Sequence, residues 1–349
     1  MRTNKYNWKS SIISSDYLIK DVIKNLNETN LQIALVANKS KLIGTVTDGD
    51  IRRALLKGFS LNEKVSRIMK KNSITVGKNT SYRTARDLMR SKSILQIPII
   101  SKDKKILGLH FWNKKISVKK QNNQVVIMAG GFGRRMKYKT SFTPKPMIIL
   151  HGKPILEHII NNLKNSGFTN LIITTHYLEH KIIKYFGDGK NFGVSIKYIK
   201  EKKPLGTAGS LSKILPNKSS PIMVTNGDVI SNINYTEFLN YHFKNNAEAT
   251  MAVREIRSKH TFGVVASQGL KITNIEEKPI TKTYINAGIY ILNKKLLKLV
   301  KKNSFLSMTD LFNKIILNNY KAILFPLYEN WQDFAKPKDL KVSKRKFKL

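Results

Sequence analysis

Between residues 125 and 225 short apolar runs alternate with amphipathic stretches, and no other feature of this 349-residue chain limits its fold more. The runs VVIM (125–128), LIITT (171–175), SIKYI (195–199) and PIMVT (221–225) have strand length, whereas 154–165, 178–186 and 207–214 carry a helical pattern. Pro154 opens the first of these helices and Gly167 follows its end. Strands alternating with helices predict parallel strands joined by crossovers, with helices on both faces. The later segments 249–254, 262–267, 270–276 and 284–292 follow one another too closely for crossovers and are expected to add antiparallel strands. The expected fold class is therefore α/β, a doubly wound, mixed but mostly parallel sheet.

The first part of the chain has a different grammar. Helix 21–26, strands 32–37 and 42–47 and helix 50–57 are followed by helix 83–91 and strands 95–100 and 106–111, so one helix–strand–strand unit occurs twice. Polar KKISVKKQNNQ at 114–124 separates the two patterns, which places domains at 1–120 and 121–349 with the boundary near Gln121. In GTVTDGDIRRAL, residues 44–55, the positions Gly44, Thr47, Asp50 and Arg53 match the Gly-x-x-Thr-x-x-Asp-x-x-Arg pattern of CBS domains. The repeat thus resembles a smaller α+β CBS pair. That resemblance implies a nucleotide site in which Thr47 and Asp50 hold a ribose and Arg53 lies near phosphate. The second repeat has Gly108, Phe111 and Lys114 at the matching places, so at most one half-site is equipped, for a purine nucleotide. The alternative is a packing or dimerisation module that binds nothing, and a homo-oligomer is expected.

Charge and composition exclude several classes. The net charge of +41, from 63 Lys and Arg against 22 Asp and Glu, invites a nucleic-acid reading. The lysines are spread along the whole chain, however, and only the tail KVSKRKFKL clusters them, so no nucleic-acid partner is expected. The same field would steer a phosphate-rich substrate. No apolar run approaches ~18 residues, and MRTNKYNWKSS has no apolar core behind it, so neither a membrane span nor a signal peptide is expected. There is no cysteine, which excludes disulfides and thiolate chemistry and fits a cytoplasmic protein.

The chemistry concentrates beyond strand ends. MAGGFGRRM, at 128–136, offers backbone N–H groups at Gly130, Gly131 and Gly133 with no Cβ to keep phosphate away. Arg134, Arg135 and Lys145 supply cations that a triphosphate needs. The loop is neither the Gly-x-G-x-x-G dinucleotide fingerprint nor a Walker loop, which counts against a dinucleotide-dependent oxidoreductase. His176 and His180 lie four apart and read as strand-end and helix-start residues rather than a metal pair.

MAGGFGRRM, PKPM (144–147), GKPILEHII (152–160), the stretch 185–211 containing KPLGTAGSL, NGD (226–228), EEKP (276–279) and NAGIYI (286–291) occur in the order found in sugar-1-phosphate nucleotidyltransferases. Over about 121–340 the chain resembles that Rossmann-like family. The family's threonine is replaced by Arg134, and its Trp-x-Asp-Ile-Gly reads WQDFAKP, which keeps Asp333 but puts Ala335 in place of glycine. The resemblance implies attack by a sugar phosphate oxygen on the α-phosphorus of an NTP, with Mg²⁺ held by Asp228 and Asp333. It implies Arg135 at the leaving phosphates, Lys145 at the α-phosphate, Lys278 at the sugar phosphate and Glu277 at a sugar hydroxyl. Asn286 and Gly288 would line the sugar pocket, with Gly206, Thr207 and Gly209 beside base or sugar. PLGTAG is closer to guanylyltransferases than to thymidylyltransferases, so GTP is expected. The fused CBS pair resembles guanylyltransferases of legionaminic acid biosynthesis, which favours glucosamine 1-phosphate, with mannose 1-phosphate next. The alternatives are a transferase using UTP, CTP or dTTP, or a non-catalytic nucleotide sensor.

Overall fold

The computed structural model describes residues 7–29, 31–92, 94–112, 120–133, 136, 142–214, 220–335, 337 and 339–340. The chain divides into two compact units, Met1–Ser117 and Val118–Leu349. Most of the polar stretch at 114–124, Lys114 included, lies outside the described residues. Gln121 belongs to the second unit, where its N–H donates to Gly167 O at 2.8 Å.

In the first unit, β1 (Ile12–Ser14), β2 (Ile33–Asn38) and β3 (Lys41–Thr47) form one sheet, with α1 (Ile19–Thr29) and α2 (Asp48–Leu56) alongside in sequence. The second repeat gives β4 (Val76–Gly77), α3 (Tyr82–Ser91), β5 (Gln96–Ile100) and β6 (Ile106–Phe111), again a three-stranded sheet. Each sheet pairs its first two strands in parallel and its last two antiparallel, so the repeat read from sequence is a structural repeat. Helix α1 buries Ile19, Val22, Ile23 and Leu26, a three-and-four spacing that puts them on one face. The halves join where Leu42 N–H donates to Lys104 O (2.8 Å) and Ile106 N–H to Ser40 O (3.1 Å). Leu35 and Leu42 of the first half share a core cluster with Leu109 of the second.

The second unit contains β7 (Val125–Met128), the short hairpin of β8 (Ile149–Leu150) and β9 (Lys153–Pro154), α4 (Ile155–Asn165), β10 (Asn170–Thr175), α5 (Glu179–Phe186) and β11 (Ser195–Lys200). Then follow α6 (Gly206–Gly209), β12 (Ile222–Asn226), β13 (Val229–Ser231), α7 (Tyr235–Lys244) and β14 (Ala249–Lys259). The chain continues through β15 (Val264–Gln268), β16 (Lys271–Glu276), β17 (Ile280–Leu292), α8 (Met308–Leu317), β18 (Ala322–Pro326) and β19 (Trp331–Asp333). The main sheet has seven strands in the order β11-β10-β7-β12-β17-β14-β18, and only β17 runs against the others. Separate cores cover its two faces, one around Ile127 and Ile173, the other around Val126 and Val224. Alternate residues of β7 therefore feed opposite layers, as a strand covered on both sides requires. From β7 the chain moves to β10 and β11 on one side and returns to β12 on the other. That reversal opens a crevice beyond the carboxyl ends of β7 and β12.

One expectation needs correction. Only Gly206–Gly209 of the expected helix 207–214 is α-helical, followed by a 3-10 turn at Ser210–Lys213. Ala208 N–H and Gly209 N–H both donate to Leu306 O, which ties the segment to a distant loop instead of letting it propagate. The segments expected as an antiparallel addition do pair that way, β14 with β17 and β15 with β16, while β18, which was not read from the sequence, lies parallel to β14. Beyond the sheet β14 and β17 run on as an exposed ribbon, and every residue of β15 and β16 is exposed. No helix among the described residues is long and apolar enough to cross a membrane.

Candidate active site at the sheet reversal

The crevice is a cleft of about 350 Å³ whose lining includes Gly130, Gly131, Gly133, Lys145, Asp228 and Asp333. A Cβ added to Gly131 would meet open space, so packing does not demand glycine there; Gly133 holds φ +65°, a conformation other residues rarely adopt. Arg134 and Arg135 lie outside the described residues. Opposite the loop, the end of β12 comes so close that a Cβ on Gly227 would be 2.8 Å from Met128 O. The glycine of NGD is thus what lets β12 deliver Asp228 beside the loop.

Lys145 occupies a 3-10 turn between Pro144 and Pro146 and is buried. Its Nζ hydrogen-bonds Asp228 Oδ2 and lies 3.9 Å from Asp333 Oδ1. The two carboxylates meet because β13 and β19 pair antiparallel, with Val229 opposite Asp333, and Phe334 N–H donates to Asp228 O at 3.0 Å. Ala335, the departure from the family pattern, also lines the cleft.

Gly206 and Thr207 line the cleft as well. Gly206 has φ +75°, and a Cβ there would stand 2.5 Å from Leu306 O. The hydroxyl of Thr207 accepts from Met308 N–H at 2.7 Å, at the start of α8. Gly209 is outside the lining, and its missing side chain leaves room for Ser304 O, 2.4 Å from an added Cβ. Gly288, φ +75°, lies against Asn226, whose Nδ2 would be 2.7 Å from an added Cβ. Asn286 Oδ1 accepts from Gly288 N–H at 2.9 Å, so both belong to the wall behind Asn226 and not to the lining. Burial pushes the nearby Tyr290 phenol up to about 12, an effect opposed by Asn286 and reinforced by the negative charge of Asp228.

The structure does not bring Glu277 and Lys278 to the cleft. They are exposed between β16 and β17, 3.6 Å from each other as an ion pair, with Lys278 at φ +47°. Glu201 and Asn226 are among the lining residues that went unread in the sequence. Asn226 could have been read from NGD; its buried Oδ1 has no hydrogen-bond partner among the described residues. His176 donates from Nδ1 to Glu201 O at 2.7 Å, which gives it a structural task. Among the described residues no three His, Asp or Glu side chains gather as a metal cluster.

In the first unit Thr47, Asp50 and Arg53 come together at the start of α2. Thr47 N–H and Oγ1 both donate to Asp50 Oδ2, at 2.9 and 2.7 Å, and Arg53 pairs with Asp50 Oδ1. Gly44 makes room for Met69, whose Sδ would be 2.9 Å from an added Cβ, and Gly108 does so for Ile99.

The nucleotidyl transferase family matches residues 124–347, and the chain belongs to it. The CBS domain matches twice, at 10–57 and 65–109, over the two halves of the first unit. Among curated relatives, a mannose-1-phosphate guanyltransferase of Yarrowia lipolytica is 32% identical over 222 residues, 61% of each chain. A probable mannose-1-phosphate guanylyltransferase 1 of Oryza sativa subsp. japonica is 30% identical over 226 residues, 62% of each. The chain therefore spans about three fifths of the length of these relatives. Among solved structures, HddC of Yersinia pseudotuberculosis is 26% identical with a TM-score of 0.51 and covers 65% of this chain and 100% of its own. The same protein complexed with GMP-PN gives a TM-score of 0.50 at the same identity and coverage.

Proposed function

We propose that the second unit transfers a nucleotidyl group from GTP to a sugar 1-phosphate, giving a GDP-sugar and pyrophosphate. The observation that carries this reading is the convergence of Lys145, Asp228 and Asp333 at the mouth of a glycine-lined crevice. Two carboxylates within reach of one cation, with few other protein ligands, fit a divalent ion that keeps water and phosphate oxygens around it. Asp228 and Asp333 would hold it, and Mg²⁺ would supply charge neutralisation at the phosphates when bound. Gly130, Gly131 and Gly133 present backbone N–H groups to the phosphates. Lys145 takes the α-phosphate, where charge grows as the attacking sugar phosphate oxygen bonds to phosphorus and the bond to the bridging oxygen of pyrophosphate breaks. Arg135 remains the proposed cation for the departing pyrophosphate.

The names of the curated relatives support GTP and favour mannose 1-phosphate over the other sugars. The preference for glucosamine 1-phosphate drawn from the sequence has no such support and gives way to it. Glu277 and Lys278, on the exposed ribbon, take no part in this reading. Thr47 and Asp50 remain the proposed ribose contacts of one purine nucleotide in the first unit, supported by the presence of both only in the first repeat. The transferase reading is tested by pyrophosphate release with each of four NTPs against mannose, glucosamine and glucose 1-phosphates. Turnover confined to GTP and mannose 1-phosphate is expected; release with no combination would end it.

A further inference from the structure

Beyond the main sheet, β15 and β16 form a two-stranded ribbon with an apolar face that the described residues of its own chain leave in water. Their register sets Val265 opposite Ile275 and Ser267 opposite Ile272, and the shift between those pairs skips Thr273 as a bulge. Val265, Ser267, Ile272 and Ile275 therefore share one face, while Val264, Lys271, Asn274 and Glu276 lie on the other. The bulge matters: without it Ile272 would fall on the side opposite Ile275. Val265, Ile272 and Ile275 are 53%, 59% and 63% exposed, and Phe262 before β15 and Leu270 in the turn are more open still. Together these five expose on the order of 700 Å², above the largest apolar patch of an ordinary monomer and near the ~800 Å² that a protomer gives to a standard interface. A two-stranded ribbon is also marginal alone in water and gains its order from a layer packed on its apolar side.

We propose that this face docks on the same face of a second copy of the chain, joining two protomers about a two-fold axis. The charge pattern selects that occupant. The chain has a net charge of +41 and 24% of its residues are charged, so two copies repel over most of their surfaces. From His260 to Ile275 the only charged residue is Lys271, and it belongs to the opposite face. Here two copies meet through apolar side chains without bringing like charges together. An acidic protein would be drawn to the lysines elsewhere, and an anionic lipid surface would need several basic residues beside the apolar ones, where this stretch has a single lysine. The arrangement is self-consistent, because each ribbon offers what the other needs, and burying both faces gives about 1,400 Å², within the standard range. None of these residues is among those lining the cleft, so the docking is independent of the transfer chemistry.

Sedimentation equilibrium and amide hydrogen exchange of the full chain, each at several protein concentrations, test this surface. Association with a micromolar or tighter Kd is expected, with protection of residues 264–276 that is lost on dilution. The double variant Val265→Lys, Ile275→Lys sets two cations on each opposing face, and it should weaken association at least about a hundredfold and remove that protection. Val264→Lys, the same charge one residue away on the other face, should do neither. Circular dichroism checks that both variants are folded, as expected for residues that are exposed in the single chain. A monomer at every concentration overturns the proposal, and so does association that the double variant leaves alone or that Val264→Lys disrupts equally. Protection that persists on dilution would mean that the ribbon folds back on its own chain. Protection that appears only with anionic phospholipid vesicles would mean a membrane surface, and either result overturns the second copy as occupant.

Discussion

Asp50 and Asp228 each hold a cation at contact distance, and they obtain it in opposite ways. Asp50 takes Arg53, three residues along the same helix, while Thr47 at the helix start donates twice to its other oxygen. Asp228 takes Lys145, 83 residues earlier in the chain, and shares it with Asp333 from a strand near the end of the unit. Arg53 is 57% exposed, Lys145 only 9%. The first arrangement is a capping box with an ion pair attached, complete in itself, with its guanidinium mostly in water. The second puts like charges next to each other at a strand end and seats one buried ammonium between them, an arrangement that makes little sense as stability alone. The same pair of residue types thus marks local structure in one unit and a prepared site in the other.

The largest effect is expected where that preparation is removed. Asp228→Asn keeps the size of the side chain and the pairing of β13 with β19, but removes a charge from the metal pair. Turnover should fall by about 10²–10⁴-fold with Mg²⁺ while the unfolding temperature stays close to that of the wild type. Near-normal turnover would reduce Asp228 to a turn residue and erase the contrast with Asp50. Next comes Lys145→Met, which leaves the two carboxylates facing each other without their shared cation. It should cost about 1–3 kcal/mol of stability in denaturant titrations, and it should lower kcat by more than it raises KM for the NTP. A more stable Lys145→Met with reduced kcat would sharpen the comparison further, since it would mean the lysine is held there against stability.

The contrast also sets what could be read in the sequence. Asp228 was legible because NGD ends a continuous apolar run, and an apolar run of that length in a βαβ order is a buried strand whose end faces a ligand. The repeat in the first unit was legible because its helices and strands are local patterns. That Lys145 and Asp333 reach Asp228 was readable only through family likeness, since their meeting depends on the pairing of β13 with β19, short strands whose patterns are too brief to be seen. Glu201 was missed because one acid inside KEKK looks like solvated surface charge, and its burial is decided by β10, the glycine loop and Leu205. Glu277 and Lys278 show the reverse relation between motif and placement. The EEKP motif matches in order, yet the ribbon that carries it stands in solvent, apart from the cleft lining.

In the first unit the expected effects are smaller and fall on stability. Asp50→Ala removes the acceptor for Thr47 N–H and Oγ1 at the start of α2. A lost capping interaction of this kind costs about 1 kcal/mol, which calorimetry of the full chain should register as a lower first unfolding transition. Transferase turnover should be unaltered, because every described residue of the cleft lining belongs to the second unit. Loss of turnover equal to that of Asp228→Asn would break the division of labour between the two aspartates.

Arg53→Ala is the mildest test and the one that isolates the ion pair from the cap. The guanidinium is more than half exposed, so water and salt screen it, and ordering a long side chain offsets much of the attraction to Asp50. The Thr47 bonds to Asp50 survive the change. Stability should therefore drop by no more than about 0.5 kcal/mol, and the difference should vanish in high salt. The same substitution should weaken AMP or GMP binding, measured by calorimetry, if Arg53 serves a nucleotide phosphate, whereas a residue that only decorates a cap would leave such binding as it was. A stability loss as large as that of Asp50→Ala would instead mean that the exposed pair, and not the capping box, holds the start of α2, and the local aspartate would then depend on its cation as strongly as the distant one.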